Sequence, residues 1–478
     1  MIASNLSRRR ALWVAVLALA ATSAAPAAWA QILQRPLVVR NARILTMDRG
    51  VLDNGMLLVK GEKIAAIGPQ LEAPLLAKKV DAGGGTITPG LIDAWSGLAI
   101  GGTTAGPANP TRRAVDAFDR YDTFHLVETL RRGVTAVYVP SKGPAGICGT
   151  GAVVRLAPRS NTGQSFGRVL KSEAALCIDL GSTGAPIARL KTLATVRKQF
   201  REAVEYRKAL EDYEEDLAEY KQKLQEAASK KKQEKKPAEK KPPTASGSAA
   251  AEEKPKDAPE EKKEDSAEKD KPKKPTRPGR KPKLDVLLRA VDRRLPVRIV
   301  AHRSEDILNA LELAEEFSLH VILEGATDAH LVAGRIAAAE ISGAKVSVVL
   351  GNVARRHVRR DDSFRRALQN NGQVLSAAGV RWFIGSGADH AAGARFVLLN
   401  SQLAAAANGN RPLQSVTAEA ADLLGVAGQV GRLRPGALAD FVLWSGDPLD
   451  PATKVLRVYV GGKLVYEAAD QAEPGRDP

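Results

Sequence analysis

Along the middle of the chain, short runs rich in β-branched residues end in glycine or a polar residue and alternate with longer amphipathic stretches. The runs are Gly133–Pro140 (GVTAVYVP), Val297–His302 (VRIVAH), Leu319–Gly325 (LHVILEG), Lys345–Gly351 (KVSVVLG) and Val380–Gly387 (VRWFIGSG). Between two of them, Ser304–Ser318 (SEDILNALELAEEFS) has helical spacing, with Ser304, Asp306 and Ile307 marking a helix start. Repeated strand–helix units of this length predict parallel strands joined by right-handed crossovers, an α/β chain folded as a TIM-like (β/α) barrel over 88–425. The flanks differ. Residues 36–69 and 431–467 read as short strands joined by turns, with Asn54-Gly55, Lys60-Gly61 and Gly461-Gly462 as hairpin signals. Neither flank holds enough strands for a stable sheet, so the two ends are expected to build one small β-sandwich from 31–87 and 426–470.

Two segments interrupt this rhythm. From 193 to 224, Phe200, Val204, Tyr206, Leu210, Tyr213, Leu217, Tyr220 and Leu224 recur at mostly three- and four-residue spacing among charges, which predicts a long amphipathic helix. It would pack on the domain; a coiled-coil partner needs more heptads. From 225 to 283 there is no Ile, Leu, Val, Met or aromatic residue, so the segment cannot offset its conformational entropy and is expected to be a disordered charged insert. At the N-terminus, Arg8, Arg9 and Arg10 precede a short apolar run and Ala28-Trp29-Ala30, the form of a twin-arginine-like signal peptide over 1–30. This predicts export to the periplasm or the extracellular space, with an uncleaved anchor as the alternative.

Composition narrows the classes. Of the 478 residues 44% are hydrophobic, which excludes a wholly disordered chain, and 41 unperiodic Gly with 2 Cys exclude collagen-like and disulfide-dense classes. The net charge of +17 raises the question of nucleic acid. Between Ser229 and Pro282, however, stand 18 Lys+Arg against 11 Asp+Glu with no aromatic to stack on a base. No nucleic-acid partner is expected. An anionic surface or a protein partner reached through the insert stays open, and the oligomeric state is not legible. Cys148 and Cys177 are compatible with a disulfide and equally with free buried thiols.

Terminal strands around a barrel, the phrase Ile87-Thr88-Pro89-Gly90-Leu91-Ile92-Asp93-Ala94 and the stretch Gly431–Trp444 (GRLRPGALADFVLW) together resemble the amidohydrolase superfamily, in particular its imidazolonepropionase-like members. The resemblance implies hydrolysis of non-peptide C–N bonds, of cyclic amide or amidine type, by water activated on a divalent, zinc-type metal. It also locates the ligands. The family's His-x-His after the first phrase falls here on Trp95 and Gly97. His302, at the end of its strand, matches a metal ligand. Gly325 stands where the next imidazole belongs, and Gly387 where the catalytic Asp belongs. Asp389, two residues on, would be a shifted catalytic acid, with His390 beside it, and Cys177 falls near a lysine position. Trp95, Gly97, Gly325, Gly387 and His390 would line the pocket for a small-molecule ligand. Hydrolytic zinc sites use at least three protein ligands, so a site this depleted implies weak metal binding or none. Three readings remain: a lapsed or altered relative, an active hydrolase with a site reorganised around His302, Asp389 and His390, and a small-molecule-binding or interaction protein using the insert. His125, His320, His330 and His357 show no ligand spacing and read as structural.

Overall fold

The computed structural model describes residues 35–101, 109–159, 164–181, 185–234, 273–341, 345–351, 370–388, 390–406 and 412–469. The export signal at 1–30, most of the charged insert, His357 and Asp389 therefore lie outside the described residues. Sixteen strands among the described residues form two sheets of eight. The first unites the chain ends, in the order β16–β15–β14–β5–β1–β2–β3 with β4 also on β1. Its strands are β1 (Leu37–Leu45), β2 (Val51–Lys60), β3 (Lys63–Gly68), β4 (Lys78–Asp81), β5 (Thr86–Pro89), β14 (Phe441–Trp444), β15 (Val455–Val460) and β16 (Lys463–Glu467). The ends join where β14 runs antiparallel to β5, pairing Leu443 with Ile87 and Val442 with Thr88. Ile44, Leu57, Ile64, Ile87 and Leu443 form its core, and Phe441 stacks on Tyr459 with ring centres 4.5 Å apart.

Turn chemistry explains two of the three expected hairpins. Gly61 (φ +59°) closes β2–β3, and Gly461 and Gly462 (φ +59° and +69°) close β15–β16. Asn54-Gly55 does something else: it lies inside β2, where Asn54 has φ +52° and the register with β1 slips. A Cβ on Gly55 would come within 2.8 Å of Ile44 Cδ1, so the pair makes a bulge that lets β1 approach. The β1–β2 turn is made instead by Thr46, whose Oγ1 donates to Gly50 O at 2.8 Å and accepts from Arg49 N at 2.8 Å.

The second sheet runs β13–β12–β11–β10–β9–β8–β7–β6. It contains β6 (Leu91–Asp93), β7 (Val134–Val139), β8 (Gly146–Pro158), β9 (Phe166–Asp179), β10 (Val297–Ala301), β11 (His320–Gly325), β12 (Lys345–Leu350) and β13 (Trp382–Ile384). Seven of these strands are parallel in direction. The exception corrects the expected uniform strand–helix alternation: β8 is antiparallel to both β7 and β9. Connections of six and seven residues leave no room for a crossover helix, so these long strands meander. The edge strands approach each other through a parallel bridge, Ser96 to Gly387.

The helices of seven or more residues among the described positions are α1 (Thr123–Leu130), α2 (Pro186–Glu234), α3 (Pro282–Val291), α4 (Ser304–Glu316), α5 (Ala333–Ile341), α6 (Asn371–Ala377), α7 (Val397–Ala406) and α8 (Ala418–Leu424). α2 extends past both ends of the expected helix and into the first ten residues of the insert. Its first half buries Leu193, Val196, Phe200, Ala203 and Tyr206, with Phe200 stacked on Phe317 at 5.2 Å. No described helix is long and apolar enough to cross a membrane.

The two sheets share a seam built by the motifs. The Thr86–Asp93 stretch passes from β5 in one sheet to β6 in the other through Gly90, where any Cβ would sit 2.0 Å from Thr135 Oγ1. Opposite, Arg155 of β8 makes a bidentate pair with Asp440, Nε to Oδ2 at 2.7 Å and Nη2 to Oδ1 at 2.6 Å, both side chains nearly inaccessible. Gly461 N also donates to Asp440 Oδ1 at 2.8 Å, and Arg155 Nη1 to Glu62 Oε2 at 3.1 Å.

Candidate functional site

Parallel strands send their carboxyl ends to one mouth, and alternate residues of each strand face the interior. On β10 the inward series is Arg298, Val300 and His302. Arg298 lies deepest: its Nε is 2.5 Å from Glu324 Oε1 on β11, both side chains 1% exposed. The guanidinium lies 3.8 Å above the Tyr138 ring, and Nη2 donates to Ala94 O at 2.7 Å. The Tyr138 hydroxyl meets Cys177 Sγ at 3.2 Å. Burial pushes the Glu324 carboxyl up, against the opposing pull of Arg298, and the nearby Asp179 charge adds to the rise. Burial also raises the Cys177 thiol to about 11 and Tyr138 well above its usual range. Cys177 is therefore a protonated thiol near neutral pH, not a nucleophile. It and Cys148 are both free and buried. The sequence signal for this cluster was available: Arg298 and Glu324 are the lone charges within apolar strands.

Above it, the mouth is filled. His302 is half-buried, with Nδ1 3.0 Å from Thr327 Oγ1. Gly325 has φ +83°, and a Cβ there would fall 2.3 Å from His302 Cε1 and 3.0 Å from Nε2. The His302 ring thus lies in the space a side chain at 325 would need. The loop beyond is pinned by Asn371, whose Nδ2 donates to Ala326 O at 3.1 Å and Thr327 O at 3.2 Å. Trp95 is 5% exposed; a Cβ on Gly385 would stand 2.6 Å from its Cβ, and one on Gly351 would stand 3.0 Å from its ring. These glycines make room for the indole. Its Nε1–H is buried and makes no hydrogen bond among the described residues.

Gly97 and Gly387 belong to the backbone bridge: Gly387 N donates to Trp95 O at 2.9 Å and Gly97 N to Gly387 O at 3.2 Å. A Cβ on Gly97 would lie 2.4 Å from Ala388 O, and Gly387 has φ +85°. Asp93 ties the same edge together, accepting from Ser386 Oγ at 2.5 Å, Ser386 N at 2.9 Å and Trp95 N at 3.2 Å. Full burial raises its carboxyl to about 6 against these hydrogen bonds. His390 is exposed at the start of a 3₁₀ turn. Elsewhere His125 pairs with Asp122 at 2.8 Å at the start of α1, and His320 and His330 sit at element edges.

Among the described residues no three His, Cys, Asp or Glu side chains are placed to hold a metal ion. The described residues do not assemble the three-donor set that a divalent metal of the kind the resemblance implies would require.

Comparison with known proteins follows the same outline. Residues 284–465 match the sequence profile of the amidohydrolase family. An imidazolonepropionase of Anaeromyxobacter sp. (strain K) is 41% identical over 80 residues, 15% of this chain and 19% of that protein. One from Paracoccus denitrificans (strain Pd 1222) is 33% identical over 76 residues, 14% of this chain and 19% of that protein. The chain thus spans about a fifth of the length of these curated relatives. A crystal structure of an amidohydrolase from Thermotoga maritima MSB8 superposes with a TM-score of 0.64 at 22% identity, covering 90% of this chain and all of that one, a likeness of fold.

Proposed function

The chain belongs to the amidohydrolase superfamily, as an imidazolonepropionase-like member, and on that premise we propose an exported protein that binds a small molecule at the barrel mouth with its C–N hydrolysis lapsed or altered. One observation carries the reading: the imidazole of His302 lies in the volume a ligand side chain at Gly325 would occupy, and Trp95 and its facing glycines fill the opposite side. What remains suits a compact aromatic or apolar ligand with an acceptor for the buried Trp95 N–H.

The architecture in this reading is a closed barrel sealed at Ser96 and Gly387, beside a terminal sheet curled over its own core as a sandwich. Export rests on Arg8–Arg10 and Ala28-Trp29-Ala30. Mass spectrometry of protein from its native host is expected to find Gln31 as the first residue; a mature protein retaining Met1 contradicts it.

The binding reading is tested by calorimetry with a panel of cyclic amides, imidazolones and aromatic acids on metal-depleted protein. Binding is expected without metal and without turnover. Hydrolysis that requires added zinc and is lost on His302→Ala would establish the active-hydrolase alternative, in which Asp389 and His390 complete the site.

A further inference from the structure

α2 is two helices in one. Up to Arg207 it is held to the body by buried apolar residues and by ion pairs of Arg197 with Glu316 at 2.7 Å and Arg207 with Asp292 at 2.9 Å. From Glu211 to Glu226 its side chains are exposed except for a stripe of half-buried residues, Tyr213, Leu217 and Tyr220, continued by Leu224, which is 41% exposed. The spacing of four, three and four is a heptad seam. The chain's own insert cannot cover it, because 225–283 contains no Ile, Leu, Val, Met or aromatic residue to supply a knob.

The charges beside the seam name the occupant. Glu211, Asp212, Glu214, Glu215, Asp216 and Glu219 make the segment before Tyr220 acidic, while Lys221, Lys223, Lys230, Lys231 and Lys232 make the segment after it basic. We propose that this projecting half of α2 pairs antiparallel with the same segment of a second copy of the chain, about a two-fold axis between Leu217 and Tyr220. Each tyrosine then meets a leucine: Tyr213 packs on Leu224 of the second copy, and Leu217 on its Tyr220. The flanking positions match as well. In antiparallel coiled coils the residues following the fourth heptad position face one another, as do those preceding the first. Glu214 thereby meets Lys221 of the second copy and Asp216 meets its Lys223, each pair made twice by symmetry. A parallel pairing sets tyrosine on tyrosine and leucine on leucine, and it retains only the Asp216–Lys221 match. Lys223 already contacts Glu219 of its own helix at 3.2 Å, but both side chains are over 60% exposed and able to turn outward. In this register Arg207 of one copy lies opposite about residue 230 of the other, roughly 35 Å along the helix from that copy's own Arg207. With four apolar layers the association is weak and concentration-dependent.

The experiment is sedimentation velocity of the mature full-length protein across a concentration series, at low and high salt. A monomer–dimer equilibrium that weakens with salt is expected. The double variants K221E/K223E and E214K/D216K, each checked for unchanged helix content by circular dichroism, should self-associate at least about tenfold more weakly. Mixing the two should restore dimer, and so should the fourfold reversal in one chain. In oxidative cross-linking, Leu217→Cys mixed with Tyr220→Cys should link, whereas Leu217→Cys alone should not. Monomer at every concentration, a dimer indifferent to charge reversal, or self-linking of Leu217→Cys would each overturn the proposal.

Discussion

The seam between the sheets and the mouth of the barrel lie at opposite ends of the same short strand, β6, and they have kept different things. At the seam the buried charges and the indole are matched: Asp440 takes two hydrogen bonds from Arg155 and one from the Gly461 amide, and the Trp444 indole donates to Thr88 Oγ1 at 2.9 Å. At the mouth the indole of Trp95 has no acceptor among the described residues, the glycines at 325 and 351 lie against the His302 and Trp95 rings, and Gly385 lies against the Trp95 Cβ and backbone. The seam couples the two sheets through matched charges, while the mouth is packed by the Trp95 indole and the His302 ring. One short strand thus joins a charge-matched seam to a mouth packed by rings, and the two can be perturbed separately.

Breaking the seam should have the largest effect. Asp440→Ala leaves the Arg155 guanidinium buried without its main partner and is expected to cost about 3–5 kcal/mol in urea unfolding. A loss below about 1 kcal/mol would show that the seam does not hold the sheets together.

Asp93, between the two regions, should report through pH. Its folded carboxyl titrates at about 6, above its ordinary value near 4, so between those values the folded state keeps a proton that the unfolded chain has released. Stability from this group is full below about pH 4, is lost as pH rises toward 6, and is level above that. The difference in unfolding free energy between wild type and Asp93→Asn should change by up to about 3 kcal/mol across that window, the variant gaining relative to wild type as pH rises. A difference that is flat with pH would contradict a buried, proton-holding Asp93.

Gly325→His sharpens the mouth side of the comparison. Placing there the histidine that the resemblance implies forces φ +83° on it and drives its Cβ into the His302 ring, so about 2 kcal/mol should be lost with no gain in metal. Adding His302→Ala should return part of the stability, since it removes the clash and leaves the backbone strain. Smallest of all, Trp95→Phe discards an N–H that has no partner among the described residues and should alter stability by less than about 1 kcal/mol. The same variant should weaken any ligand that accepts from the indole.

Much of the fold was legible because strand and turn chemistry are local. The runs around Val297–His302 and Leu319–Gly325 became adjacent parallel strands, and Lys60-Gly61 and Gly461-Gly462 became turns. Asn54-Gly55 misled because the same positive φ serves a bulge as well as a hairpin. The meander of β8 and β9 was missed: residues such as Lys171 and Glu173 break the apolar run, and only partner strands decide direction. At the site, the sequence singled out Trp95, Gly97, Gly325 and Gly387 one at a time, as positions where the resemblance expects ligands. That Gly325 and His302 are a matched pair was not legible, because it depends on two residues twenty-three apart meeting in space.

The claim that the mouth has been refilled is tested most directly by metal analysis of the purified mature protein, by inductively coupled plasma mass spectrometry after growth in zinc, iron and manganese. The account predicts well under one equivalent of any of these, unchanged by His302→Ala. One chelator-removable equivalent per chain, lost on His302→Ala, would contradict it.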